Sequence, residues 1–274
     1  MTGGPPGATP GLHSAAVNLV LARTDPARAR RELVLTWAAC IGLLFCARLL
    51  SLLEPTQILA SNLAGVAAFL FIALPERKIH ARGERWTAYG LAWSGIAAGE
   101  TWRAWGRGLV QALAVAALVF PLFLAGFWAY GHLLPHLPRG LAEHVAPYLA
   151  PPRFRLRLPP RFPLLTAVQL LVVALPEELF YRGWMQTTWA ASRPGRGVTV
   201  RGARLGSGFL ATQALFAAGH LIAFQTWRLG TFFPGLLFGW LRERTGGLAA
   251  PVFLHAFSNL FLATLEASFY GQGR

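Results

Sequence analysis

The chain of 274 residues is 54% hydrophobic and only 13% charged, a balance that excludes an ordinary soluble domain and requires an integral membrane protein. Its formal net charge of +14 rests on 25 basic residues, Lys78 being the one lysine, and these fall mostly between apolar runs instead of forming one patch. With no nucleic-acid motif beside them they read as topology signals and contacts for anionic headgroups, so membrane lipids are expected partners and nucleic acid is not.

Residues 1–32, MTGGPPGATPGLHSAAVNLVLARTDPARARRE, lack a signal peptide's order of basic region, apolar core and cleavage site, and are read as a flexible cytoplasmic tail. Seven apolar runs follow, at roughly 33–53, 56–74, 108–131, 162–184, 206–226, 229–243 and 247–268. A helix needs about 20 mostly apolar residues to cross the hydrocarbon. The expected fold class is therefore all-α, a polytopic membrane helix bundle of about seven (six to eight) transmembrane helices. The short sixth run is expected to be tilted, buried or only partly spanning. Cys40 and Cys46, in the first run, read as packing residues. Gly65, Pro121, Pro176 and Pro234 predict kinks, Pro176 with the greatest consequence. The organisation is a tail (1–32), N-terminal membrane helices with interfacial connections (33–161) and a catalytic helical core (162–274).

Cytoplasmic connections carry the excess of Lys and Arg. With the N-terminus inside, the tail, 75–107, 185–205 and 242–246 hold sixteen basic residues against seven on the other side, which gives an N-in, C-out arrangement. The discordant segment, 132–161, carries five arginines on the outer side and is expected to lie on the surface as a proline-rich cap. The Trp- and Arg-rich 75–107 connection suits an interfacial helix at the headgroup level. No internal repeat is visible, which disfavours an inverted-repeat transporter.

Ionisable side chains inside spans are rare and face the protein interior, which makes each one a functional hypothesis. Of the seven histidines, His13, His80, His132, His136 and His144 fall in tails or loops, and only His220 and His255 lie within apolar runs. Of eleven acidic residues, only Glu177 and Glu178 are clearly inside one. Glu178 and Arg182, four apart in VVALPEELFYRGW, suit an intrahelical ion pair near a helix end, with Arg182 able to snorkel toward the headgroups. Glu177, about 100° further round the helix, projects elsewhere. FAAGH puts Phe216, a packing residue, on one face with His220, and HAFSN does the same for His255 and Asn259. A carboxylate and an imidazole can together hold and deprotonate a water. A second imidazole and a carboxamide supply donors for the oxyanion that forms when the water attacks an acyl carbon, so the set suffices for amide hydrolysis.

EELFYR (Glu177, Glu178, Arg182), FAAGH (Phe216, His220) and HAFSN (His255, Asn259) resemble, in order, the EExxxR, FxxxH and HxxxN/D boxes of the CPBP family. That family comprises CAAX-protease and bacteriocin-processing intramembrane endopeptidases. The resemblance covers roughly residues 160–270, and the preceding part carries no recognised box. It implies that Glu177 and His220 activate the water, that His255 and Asn259 line the oxyanion site, and that Glu178 and Arg182 support them. It implies no cofactor where the family is described as glutamate-type, and zinc, held by Glu177, His220 and His255, where it is described as metalloprotease. Because the HExxH pairing of zincins is absent, metal-free catalysis is favoured. AWSG and LGSG lack the first glycine of the rhomboid GxSG box, and no GxGD aspartyl motif is present.

The implied substrate is a membrane-anchored or lipidated protein, of prenyl or bacteriocin type. The Arg- and Ala-rich, Lys-poor composition suggests a high-GC bacterium, whose inner membrane could hold a myxosortase-like member removing C-terminal anchors of surface proteins. The alternative class is a non-catalytic immunity or scaffold protein, or a transporter using the buried polar cluster. The presence of all four candidate catalytic residues favours the enzyme.

Overall fold

The computed structural model describes residues 25–145, 153–193 and 197–271, so most of the expected tail lies outside the described residues. All seven apolar runs are helical. Helix α1 (Pro26–Leu53) starts where Asp25 accepts the Arg28 N–H at 3.0 Å and Pro26 opens the first turn. Helix α2 (Ile58–Ala81) is capped by Glu54, whose carboxylate accepts the Ile58 and Leu59 N–H groups at 3.1 and 2.8 Å. Helices α3 (Gly99–Leu133), α4 (Arg139–Val145), α5 (Phe162–Ser192), α6 (Ser207–Gly219), α7 (Phe232–Thr245) and α8 (Ala249–Tyr270) follow.

The protein is a multi-pass membrane bundle. Five helices, α1, α2, α3, α5 and α8, are long and apolar enough to cross a membrane. Helices α6 and α7 are shorter: the 14 residues of α7 make about 21 Å against a hydrocarbon core of about 30 Å. Helix α1 packs on α2, α3 on α8, and α7 on both α6 and α8. The largest buried cluster joins Leu33 and Cys40 of α1, Phe71 of α2 and Phe180, Tyr181 and Trp184 of α5. Cys40 thus packs as expected, whereas Cys46 is exposed.

Three connections differ from expectation. The 75–107 stretch holds no separate interfacial helix: α2 runs on to Ala81, a 3-10 turn covers Trp86–Tyr89, and glycines at positive φ, Gly83, Gly90 and Gly95, break helical propagation before α3. The 185–205 stretch begins inside α5 and ends in a two-stranded antiparallel hairpin, β1 (Val198–Val200) with β2 (Ala203–Leu205). The 132–161 segment is partly helical, holding a 3-10 turn at Leu134–His136 and α4, and its stretch from residue 153 runs along the end of α8, where Arg153 and Arg155 donate backbone N–H groups to Phe269 O and Ser268 O at 3.1 and 2.8 Å.

Pro176 reshapes α5. It has no N–H to return to residue 172, and its ring excludes that carbonyl. The helix answers with wide π-turns on both sides, Gln169–Ala174 and Leu179–Met185, the Leu175 N–H reaching Leu170 O. Such turns shift every later side chain around the axis relative to a 3.6-residue register, and they recur at functional sites.

Helices α3 and α8 touch through Gly108, where a Cβ would stand 2.4 Å from Ala249 Cβ and 2.8 Å from the Ala249 carbonyl carbon. Gly108→Leu is expected to destabilise the protein by about 1–3 kcal/mol. The check is thermal unfolding in detergent, and a midpoint equal to wild type would contradict the close crossing.

Candidate active site

Glu178 and Arg182 form the expected i,i+4 pair, Arg182 Nη1 donating to Glu178 Oε1 at 2.8 Å, but both side chains are 0% exposed. Arg182 therefore does not snorkel. Its second nitrogen, Nη2, donates to Gln213 Oε1 at 2.6 Å and Gly235 O at 3.1 Å, and its guanidinium lies 4.2 Å from the Phe216 ring centroid. Phe216 thus packs against the cation as well as the rings of Tyr181 and His220. Burying two charges is tolerated only where partners surround them, and here they come from α5, α6 and α7.

The same Glu178 oxygen accepts a 2.8 Å hydrogen bond from His255 Nδ1 on α8. Across the ring, His255 Nε2 stands 3.8 Å from Glu177 Oε2. Glu177 and Glu178 thus stand at opposite edges of one imidazole, which is stacked on Phe238 with centroids 4.8 Å apart. At 3.8 Å the Glu177 contact is too long for a hydrogen bond. Glu177 Oε2 is buried and accepts no hydrogen bond from the described residues. A buried acceptor left so is costly unless the site uses it.

Glu177 and His220 line one cavity of about 370 Å³, walled by α1, α2, α5 and the turn after α6, with Arg48, Gln225 and Arg228 also on its surface. His220 Nδ1 is 2.8 Å from Phe216 O. A carbonyl only accepts, so Nδ1 carries the proton and Nε2 of the neutral ring keeps its lone pair. Asn259, one turn beyond His255, donates Nδ2–H to Gln169 Oε1 at 2.8 Å. A carboxamide has two N–H groups, so one donor remains. The structure thus brings Glu177 to His220 at one cavity and to His255 across α8, while Asn259 is tied to the first π-turn of α5.

Residues 159–261 match the model of the type II CAAX prenyl endopeptidase family, Rce1-like, and the match contains all seven candidate residues. This core is therefore similar to Rce1-like domains. Its family is one of proteases and accords with the CPBP resemblance read from the three boxes. No curated protein and no solved structure matches the chain.

The matched region also contains buried polar residues that are neither ionisable nor asparagine. Gln213 and Gln186, both buried, extend the Arg182 network: Gln213 Nε2 donates to Gln186 Oε1 at 3.4 Å, and Gln186 Nε2 donates to Glu243 Oε1 at 2.7 Å. With Gln169, three glutamines inside helical apolar sequence were the available signal. Arg242, counted by sequence among exposed cytoplasmic charges, is 1% exposed. Among the described residues no three of His, Cys, Asp and Glu gather as a metal-ligand set. A zinc ion held by Glu177, His220 and His255 would use only Nε2 of His255, because its Nδ1 faces Glu178.

Proposed function

We propose that this protein is a metal-independent intramembrane endopeptidase that hydrolyses one peptide bond in or near the membrane segment of an anchored or lipidated protein. The observation that carries the reading is the buried, unbonded Glu177 Oε2 beside His255, on a residue that shares a cavity with His220. A water held by Glu177 and His220 Nε2 attacks the acyl carbon, and its proton passes to the Glu177 carboxylate. His255 and the free N–H of Asn259 donate to the oxyanion. As the tetrahedral species collapses, the C–N bond breaks and Glu177 returns the proton to the departing amine. Glu178 and Arg182 position His255.

The cavity wall takes Arg48 from the last turns of α1 and Leu63 and Ala64 from the first turns of α2, the end away from residue 25. With the N-terminus cytoplasmic in a bacterial inner membrane, that end is the outer one. This supports, as the substrate class, surface proteins whose C-terminal anchors are removed in the manner of a myxosortase.

Comparison of protein C-termini in cells carrying wild type or Glu177→Gln tests the reading: new membrane-proximal C-termini are expected with wild type alone. Ion flux through proteoliposomes without any cleavage would favour the transporter instead. Cleavage is also expected to continue in EDTA and 1,10-phenanthroline, and loss of activity restored by zinc would contradict the metal-free mechanism.

A further inference from the structure

A second cavity, of about 340 Å³, lies where residues 87–92, α3 and the α7–α8 connection meet, and none of the candidate catalytic residues lines it. Its wall holds Arg107, Gln111, Arg242, Thr245 and the first residues of α8, with no acidic side chain. Arg242 Nη2 donates to Tyr89 O and to Thr187 Oγ1, each at 3.2 Å, but the buried Nε and Nη1 have no hydrogen-bond partner among the described residues. The carboxylate next in sequence, Glu243, is engaged by Gln186 at 2.7 Å. A guanidinium buried in this way needs an acceptor.

A second, independent feature faces the same space. Helix α8, 22 residues long, has no side-chain N-cap, and Ala249 and Ala250 of its first turn line the cavity. The positive end of its dipole and its first N–H groups are therefore directed at the region of Arg242. Gly90, at φ 92°, closes over the arginine: a Cβ there would stand 2.7 Å from Arg242 Cζ. An adjoining cavity shares Ala92, Ala104 and Arg107 and adds Ser94, Glu100 and Arg103. Around it Trp93, Ile96 and Trp102 are 50%, 71% and 61% exposed, as expected of side chains at the headgroup level.

We propose that this cavity binds the phosphate of an acidic phospholipid headgroup, with Arg242 and Arg107 supplying charge and the start of α8 supplying N–H donors. Inorganic phosphate offers the same chemistry without acyl chains, so the test separates the two sources. Native mass spectrometry of the full-length protein in neutral detergent would be run against dioctanoyl phosphatidylglycerol, dioctanoyl phosphatidylcholine and inorganic phosphate. A saturable one-to-one phosphatidylglycerol complex is expected, at least about tenfold tighter than with phosphatidylcholine. Arg107→Gln and Gln111→Glu lie at exposed positions and retain the fold; each is expected to weaken the complex about tenfold with helix content unchanged. Arg242→Gln is expected to abolish it. Absence of a saturable complex, equal binding of the two lipids, or unchanged affinity in both exposed variants would overturn the proposal. Inorganic phosphate binding as tightly as phosphatidylglycerol would overturn the lipid assignment.

Discussion

Glu177→Gln is expected to lower the rate of peptide cleavage by the purified protein about 10²–10⁴-fold while helix content and membrane insertion stay at wild-type values. The substitution keeps the side chain's size and removes its capacity to take a proton. Glu177 is 17% exposed and its Oε2 forms no hydrogen bond with the described residues, so the substitution breaks no hydrogen bond at that oxygen. The effect should therefore fall on kcat with little change in KM. His220→Ala is expected to act through the same water and to add little to the loss already caused by Glu177→Gln, because residues that work as a unit are not additive. Cleavage by Glu177→Gln at a rate near wild type would remove Glu177 from the chemistry.

Arg182→Met has the opposite signature: a fall in stability of about 3–5 kcal/mol, with loss of activity following from it. The substitution leaves Glu178 fully buried without its guanidinium and leaves Gln213 Oε1 and Gly235 O without their donor. His255 would then be held by a carboxylate free to move. Arg182→Lys keeps a charge but loses the fork that reaches Glu178 and Gln213 together, so it should lie between Arg182→Met and wild type. The double variant Glu178→Gln, Arg182→Met should be more stable than the sum of the single losses, since it no longer buries an unpaired charge. Unfolding in detergent measures all of these. A shift of less than about 0.5 kcal/mol for Arg182→Met would show that the pair does not hold the core.

The helical, membrane-spanning character was legible because hydrophobic runs of spanning length have few other uses, and the three boxes were legible because charge within such runs is rare. The arrangement around His255 was not. An ideal 3.6-residue register turns Glu177 away from Glu178, yet an imidazole from another helix presents nitrogens on opposite edges and meets both. The π-turns around Pro176 depend on how a helix repairs a missing N–H, which a kink expectation does not specify. The glutamines are less conspicuous in sequence because they are neutral, although a buried amide also needs hydrogen-bond partners. Arg242 escaped because a basic residue beside a short connection looks like a topology signal; only tertiary packing against Tyr89 and Thr187 hides it. The brevity of α6 follows from its end at Gly219, where the chain tightens into a 3-10 turn carrying His220.

The most direct measurement is cleavage of a membrane-anchored substrate by the purified protein in proteoliposomes made up in H₂¹⁸O, with the product's new C-terminus read by mass spectrometry. Hydrolysis by the Glu177 and His220 cavity predicts one ¹⁸O atom in the new carboxylate from wild type, with or without chelator, and no product from Glu177→Gln. An equal yield of labelled product from Glu177→Gln, or no product from wild type in the presence of ion flux, would contradict it.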